Sequence, residues 1–207
     1  GRITVDDVVD VIQKEAEQAV RSMAGLRDEE MFSPIIVSTK RRAVWLGINL
    51  LTAFLGAWVI GRFEDTIQQL VALAVLMPVV AGMGGIAGSQ TLTIAIRGIA
   101  LGQIAKTNVK PLLIKELSIG ILNGIFWSCV VAIVVILWFG KLSLGVIIGA
   151  SMIINLIIAA LAGATIPIIL KRYGIDPAIA GGVILTTVTD VVGFVTFLGL
   201  ATIFLLS

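Results

Sequence analysis

One carboxylate stands alone near the C-terminal end of this chain. Asp190 lies in Thr186-Thr187-Val188-Thr189-Asp190-Val191-Val192-Gly193, and from Ala178 to Leu206 no other residue is charged. An ionised side chain at the centre of a membrane helix costs about 2.5–3.5 kcal/mol, so it normally faces water, a partner or an ion. The residues around it are small or carry oxygen. Gly182, Thr186, Asp190 and Gly193 are spaced i, i+4, i+8 and i+11, which places them on one helical face, with Thr187 beside them. A lone acid among hydroxyls and glycines has the chemistry of a cation path. The plainer alternative is a carboxylic acid hydrogen-bonded to a neighbouring helix.

A second stretch has related chemistry. Pro78 lacks a backbone donor, and Gly82, Gly84, Gly85 and Gly88 follow it, with Ser89, Gln90, Thr91 and Thr93 directly after. Glycines at this density let membrane helices approach closely. Alternatively they break the helix, and freed carbonyls then line a wet cavity. The polar cluster favours a wet face. Gly85, Gly88, Ser89 and Gln90 are therefore candidate lining residues on this stretch, as Gly182, Thr186, Thr187 and Gly193 are around Asp190.

The donor set points to a hard cation. The chain has no histidine, and its one cysteine, Cys129, lies in an apolar run. Soft transition metals want such ligands, whereas oxygen donors suit Mg²⁺, Ca²⁺ or Mn²⁺. One carboxylate cannot strip the water from Mg²⁺, which dehydrates reluctantly. Two Asp190 side chains about the axis of a homodimer would hold a largely hydrated divalent ion. An enzyme is not expected, because a single Asp without a second acid, His or reactive Cys has no catalytic partner. No phosphate-binding loop is present to use ATP. No nucleic-acid partner is expected. Among the remaining polar residues, Asn123 and Asn155 read as interhelical hydrogen bonds or lining groups. Glu116, beside Lys115, reads as interfacial, and Glu64 and Asp65 as solvated loop acids.

These residues need a scaffold, and composition says which. Of 207 residues 58% are hydrophobic and 14% charged, a balance found in membrane chains rather than soluble domains. Apolar runs predict five membrane helices at about 43–61, 66–97, 112–139, 143–170 and 177–206, the second interrupted by Pro78 and the glycine run. Residues 1–30 differ. Val5, Val8, Val9, Ile12, Ala16, Ala19, Val20 and Met23 keep helical spacing opposite a charged face, so a soluble amphipathic helix is expected there. Lys40, Arg41, Arg42, Arg97, Lys106, Lys110, Lys115, Lys171 and Arg172 fall at one end of the predicted spans, and Arg62 and Lys141 at the other. The positive-inside rule then puts the N-terminus in the cytoplasm and the C-terminus outside, in a multi-pass plasma-membrane protein. Five spans are few for enclosing a pore, which favours an oligomer.

The same residues carry a resemblance. Met77-Pro78-Val79-Val80-Ala81-Gly82-Met83-Gly84-Gly85 with Ala87-Gly88-Ser89-Gln90, then Arg97-Gly98-Ile99-Ala100-Leu101-Gly102, then Asp176-Pro177-Ala178, then Thr186 through Phe194 together match the membrane domain of the MgtE family of Mg²⁺ channels. Residues 35–207 resemble that domain. The family pattern has Asn where this chain has Ile86, which removes a polar group at that point. The resemblance implies an all-α homodimer of five-helix subunits with a central pore between the second and fifth helices. It implies Asp190 as the acid that binds hydrated Mg²⁺, with Thr186 and Gly182 one and two turns before it. Residues 1–10 look like the end of a CBS domain, and residues 11–34 like the amphipathic connecting helix and linker to the pore domain. On that resemblance the partners are a second copy, the bilayer, and N-terminal and CBS regulatory domains. The chain is then expected to lack most of its Mg²⁺ sensor and full Mg²⁺-dependent closure. The competing expectation is a secondary transporter exchanging Mg²⁺ or another divalent ion for Na⁺ or H⁺. A receptor or assembly subunit that moves no ion is a third.

Overall fold

The computed structural model describes Val5, residues 34–105 and residues 107–205. The amphipathic helix expected over residues 1–30 lies outside them, as do the CBS-like segment, apart from Val5, and Lys106. The described residues form six helices: α1 (Ile35–Gly61), α2 (Glu64–Gln69), α3 (Ala72–Ala100), α4 (Val109–Phe139), α5 (Leu142–Arg172) and α6 (Pro177–Leu205). Five of these, all but α2, are long and apolar enough to cross a bilayer.

Chain chemistry accounts for the boundaries. α1 begins eight residues earlier than expected from apolarity, because Pro34, at φ −56°, leads into Ile35-Ile36-Val37 and the helix runs on through the basic cluster. A helix does not have to end where the membrane does. The second predicted span divides elsewhere than expected. α2 is a single short helix, Leu70 is extended at φ −140°, and α3 then runs unbroken from Ala72 through Pro78 and all four glycines. The expected interruption at Pro78 and Gly82–Gly88 is therefore corrected. Packing against two neighbouring helices holds this stretch helical, and only the Pro78 donor is lost. α4 and α5 are joined by a tight turn at Gly140, whose φ of +67° is a conformation that glycine adopts without strain. α6 opens with Pro177 in its first turn, and Asp176 Oδ1 accepts the Ala178 N–H at 2.9 Å as a cap.

α5 is the hub. It packs on α4, α3 and α6, α6 also packs on α3, and α1 leans mainly on α6 among the described residues. The core centres on Leu73, Leu76, Val80, Leu144, Ile148, Phe197 and Leu198. Both ends are pinned by polar contacts. Thr66 and Thr202 hydroxyls meet at 2.8 Å, and the Lys171 ammonium lies 3.4 Å from the Ile99 carbonyl. The second contact sets the C-terminal ends of α3 and α5 side by side.

Candidate functional site

α3 and α6 together form an open groove of about 890 Å³. From α3 it takes Ala81, Gly82, Gly85, Ile86, Ser89, Gln90, Thr93 and Ile94, and from α6 Thr186 and Asp190. Two stretches separated by about a hundred residues thus meet, as their shared chemistry suggests. Asp190 is half-buried, while Ser89, Gln90, Thr93 and Thr186 are exposed. Among the described residues the Asp190 carboxylate has no hydrogen-bond or ion-pair partner, so it is not tied to a neighbouring helix.

The hydroxyls are oriented by the helices that carry them. Thr93 Oγ1 donates to the Ser89 carbonyl at 2.8 Å, and Thr186 Oγ1 to the Gly182 and Val183 carbonyls at 3.1 Å each. Each proton is committed to backbone one turn back, which leaves the oxygen lone pairs as acceptors. The groove therefore offers acceptors and one negative charge. That suits a cation that keeps its waters, because those waters present hydrogens outward. Among the described residues no three His, Cys, Asp or Glu side chains gather at one point, and Asp190 is the one carboxylate among the groove's lining residues.

The glycine run of α3 resolves into two faces. A methyl group on Gly82 or Gly85 would meet nothing within 4 Å, and both line the groove. Gly84 and Gly88 are buried on the opposite face. A methyl on Gly84 would strike the Asn155 amide, and one on Gly88 would come within 2.9 Å of Leu185. Gly163 of α5 packs in turn on the Gly88 carbonyl and on Thr91. Gly88 therefore belongs to the packed interior and not to the groove. α6 divides likewise. Gly193 is buried against Asn155 and Val80, off the face expected for it. The half-buried Thr187 donates to the Val183 carbonyl at 2.7 Å and is not a groove residue. Gly182 has open space around it one turn before Thr186 but does not line the groove.

Of the expected lining residues, Gly85, Ser89, Gln90, Thr186 and Asp190 come together. Gly82 and Thr93, which the sequence placed in the same stretch without assigning them to the lining, border the groove too, with Ala81, Ile86 and Ile94. The signal for Gly82 and Thr93 was available: Gly82, Gly85, Ser89 and Thr93 follow i, i+3, i+7 and i+11, the face count already applied around Asp190. Asn155 makes an interhelical bond, from Nδ2 to the Val80 carbonyl at 2.8 Å. Asn123 is exposed on α4, away from the groove. Glu116, read as interfacial from its place near a helix start, is 3% exposed and accepts a hydrogen bond from Thr91 Oγ1 at 3.0 Å.

A family model described as MgtE, divalent cation transporter, matches residues 77–200, which run from the residue before Pro78 to beyond Asp190 and so include the whole groove. The chain belongs to the MgtE family. It is similar to the magnesium transporter MgtE of Bacillus subtilis, at 36% identity over 208 residues, covering 100% of this chain and 46% of that protein. It is also similar to those of Enterococcus faecalis, at 32% over 99% of this chain and 45% of the relative, and Thermus thermophilus, at 30% over 99% and 46%. The chain spans about half the length of these curated relatives. MgtE proteins are membrane transporters, so this is a multi-pass membrane chain and not an enzyme.

Proposed function

We propose that this chain is the membrane part of a magnesium transporter. Hydrated Mg²⁺ moves along the Asp190 groove, and a second copy closes the groove into a path on a two-fold axis. One observation carries the reading: an unpartnered carboxylate at membrane depth in an open groove of oxygen acceptors. The names of the three relatives supply the ion. The open side of the groove favours the homodimer, since a cation path facing lipid would be costly. Two facing Asp190 side chains would then hold the ion through its waters, and Mn²⁺ and Ca²⁺ would compete for the same oxygens. The excess of basic residues at the end that holds Lys40, Arg97, Lys110 and Lys171 supports a cytoplasmic N-terminus, and a plasma-membrane location is part of the same proposal.

Transport is passive in this reading. The test is Mg²⁺ flux into proteoliposomes at fixed voltage, without a Na⁺ or pH gradient, for wild type and Asp190→Asn. Voltage-driven flux that is lost in the variant supports a channel with Asp190 at its ion site. Flux that starts only when a Na⁺ or proton gradient is imposed would replace the channel by an exchanger.

A further inference from the structure

We propose that Glu116 is a positioning residue for the ion path: through Thr91 it fixes the rotation of α3 that presents Ser89, Gln90 and Thr93 to the groove. The inference rests on the reading above, in which that groove carries the ion.

Glu116 lies two turns into α4, on a helix that has no wall in the groove. Its carboxyl group is buried in an apolar bundle, a placement tolerated only when the group is hydrogen-bonded. The bond comes from Thr91, itself 6% exposed, whose Oγ1 lies 3.0 Å from Glu116 Oε2. α3 and α4 otherwise scarcely touch, because α5 lies between them over most of their length. The contact therefore works as a strut and not as part of a packed seam.

Its place on α3 gives it leverage. Thr91 follows Gln90 and precedes Thr93 by two residues, and both of those line the groove. Successive residues of an α-helix are about 100° apart, so the direction of Thr91 also sets theirs. On the same inner side Gly163 of α5 abuts the Gly88 carbonyl and Thr91, which fixes how near α3 comes to α5. Depth is thus set by glycine packing, and the Thr91–Glu116 bond constrains rotation here, as the Asn155–Val80 bond does nearer the other end of α3. A hydrogen bond is directional, so it adds to this packing a preference for one rotation.

The experiment measures Mg²⁺ flux against Mg²⁺ concentration, together with the Mg²⁺-to-Ca²⁺ flux ratio, in the full-length transporter. Thr91→Ser and Glu116→Gln keep a donor and an acceptor and retain wild-type behaviour. Thr91→Val removes the donor at nearly constant volume. It raises the half-saturating Mg²⁺ concentration by about threefold to tenfold, the scale of one hydrogen bond, and lowers the Mg²⁺-to-Ca²⁺ ratio; the melting temperature in detergent falls as well, because Glu116 loses its donor. Thr91→Ala serves should the valine variant fail to fold. Wild-type half-saturation and selectivity in the hydroxyl-less variants, with Asp190→Asn inactive, overturn the positioning role and leave the groove reading standing. Loss of flux in Glu116→Gln also overturns it, since charge and not geometry would then be what matters. Full flux in Asp190→Asn removes the groove reading and this inference with it.

Discussion

Asn155 of α5 donates from Nδ2 to the Val80 carbonyl of α3 at 2.8 Å, from a side chain with no exposed surface. Its amide occupies space left by two glycines, Gly84 on α3 and Gly193 on α6. One polar side chain thus sits where the three central helices meet, behind the wall that carries the groove. Among the described residues its Oδ1 is buried without a partner, so the site gains one hydrogen bond and bears the cost of one orphan acceptor.

Asn155→Ala removes both. Interhelical hydrogen bonds in membranes average about 0.6 kcal/mol and reach about 1.7 kcal/mol. The variant is expected to lose stability within that range, read as a lowered melting temperature in detergent. A raised melting temperature would mean that the orphan oxygen costs more than the bond contributes.

The two faces of α3 predict opposite behaviour for similar substitutions. Gly163→Ala would drive a methyl group into the Gly88 backbone, which cannot rotate away, and is expected to cost about 1–3 kcal/mol. Gly82→Ala and Gly85→Ala meet nothing, so stability stays within about 0.5 kcal/mol of wild type. The added methyls project toward the groove, and Mg²⁺ flux falls. Equal destabilisation of all three would refute the assignment of faces.

Ile86 is a groove residue with 61% of its surface exposed, and it places an aliphatic side chain among acceptors. Ile86→Asn adds an amide whose oxygen can accept from the water shell of a cation. One such hydrogen bond contributes about 0.5–1.5 kcal/mol, so half-saturating Mg²⁺ is expected to fall by about twofold to tenfold. Flux titrations check this, and a rise would count against hydrated ions touching that wall.

Closure of the groove by a second copy predicts a cross-linking pattern. Cys129 is exposed and is first replaced by alanine. Ile86→Cys in that background is expected to form a disulfide-linked dimer under mild oxidation in membranes. Leu137→Cys, 80% exposed on α4 and outside the groove, is expected to stay monomeric on a denaturing gel. Equal yields from both positions would argue against a groove-to-groove dimer.

Hydropathy and charge in the sequence alone determined the five apolar helices and their ends to within a few residues, apart from the start of α1 and the break ahead of α3. They also set the depth of Asp190 within its run, because bilayer thickness acts on a property summed along the chain. Small and oxygen-bearing residues at helical spacing marked the Asp190 and Ser89-Gln90 segments separately, and the resemblance implied their pairing. Tertiary structure decided what each small residue does. Gly84, Gly85 and Gly88 are alike in sequence, yet two receive neighbouring helices and one borders the groove, because a glycine's role is set by what fills the space beside it. The same holds for Glu116. Its position near a helix start read as interfacial, and only the arrival of Thr91 from α3 made burial tolerable. Local pattern fixes which face of a helix is small or polar. Which neighbour that face meets depends on how the helices cross, and that is settled by all of their packing contacts together.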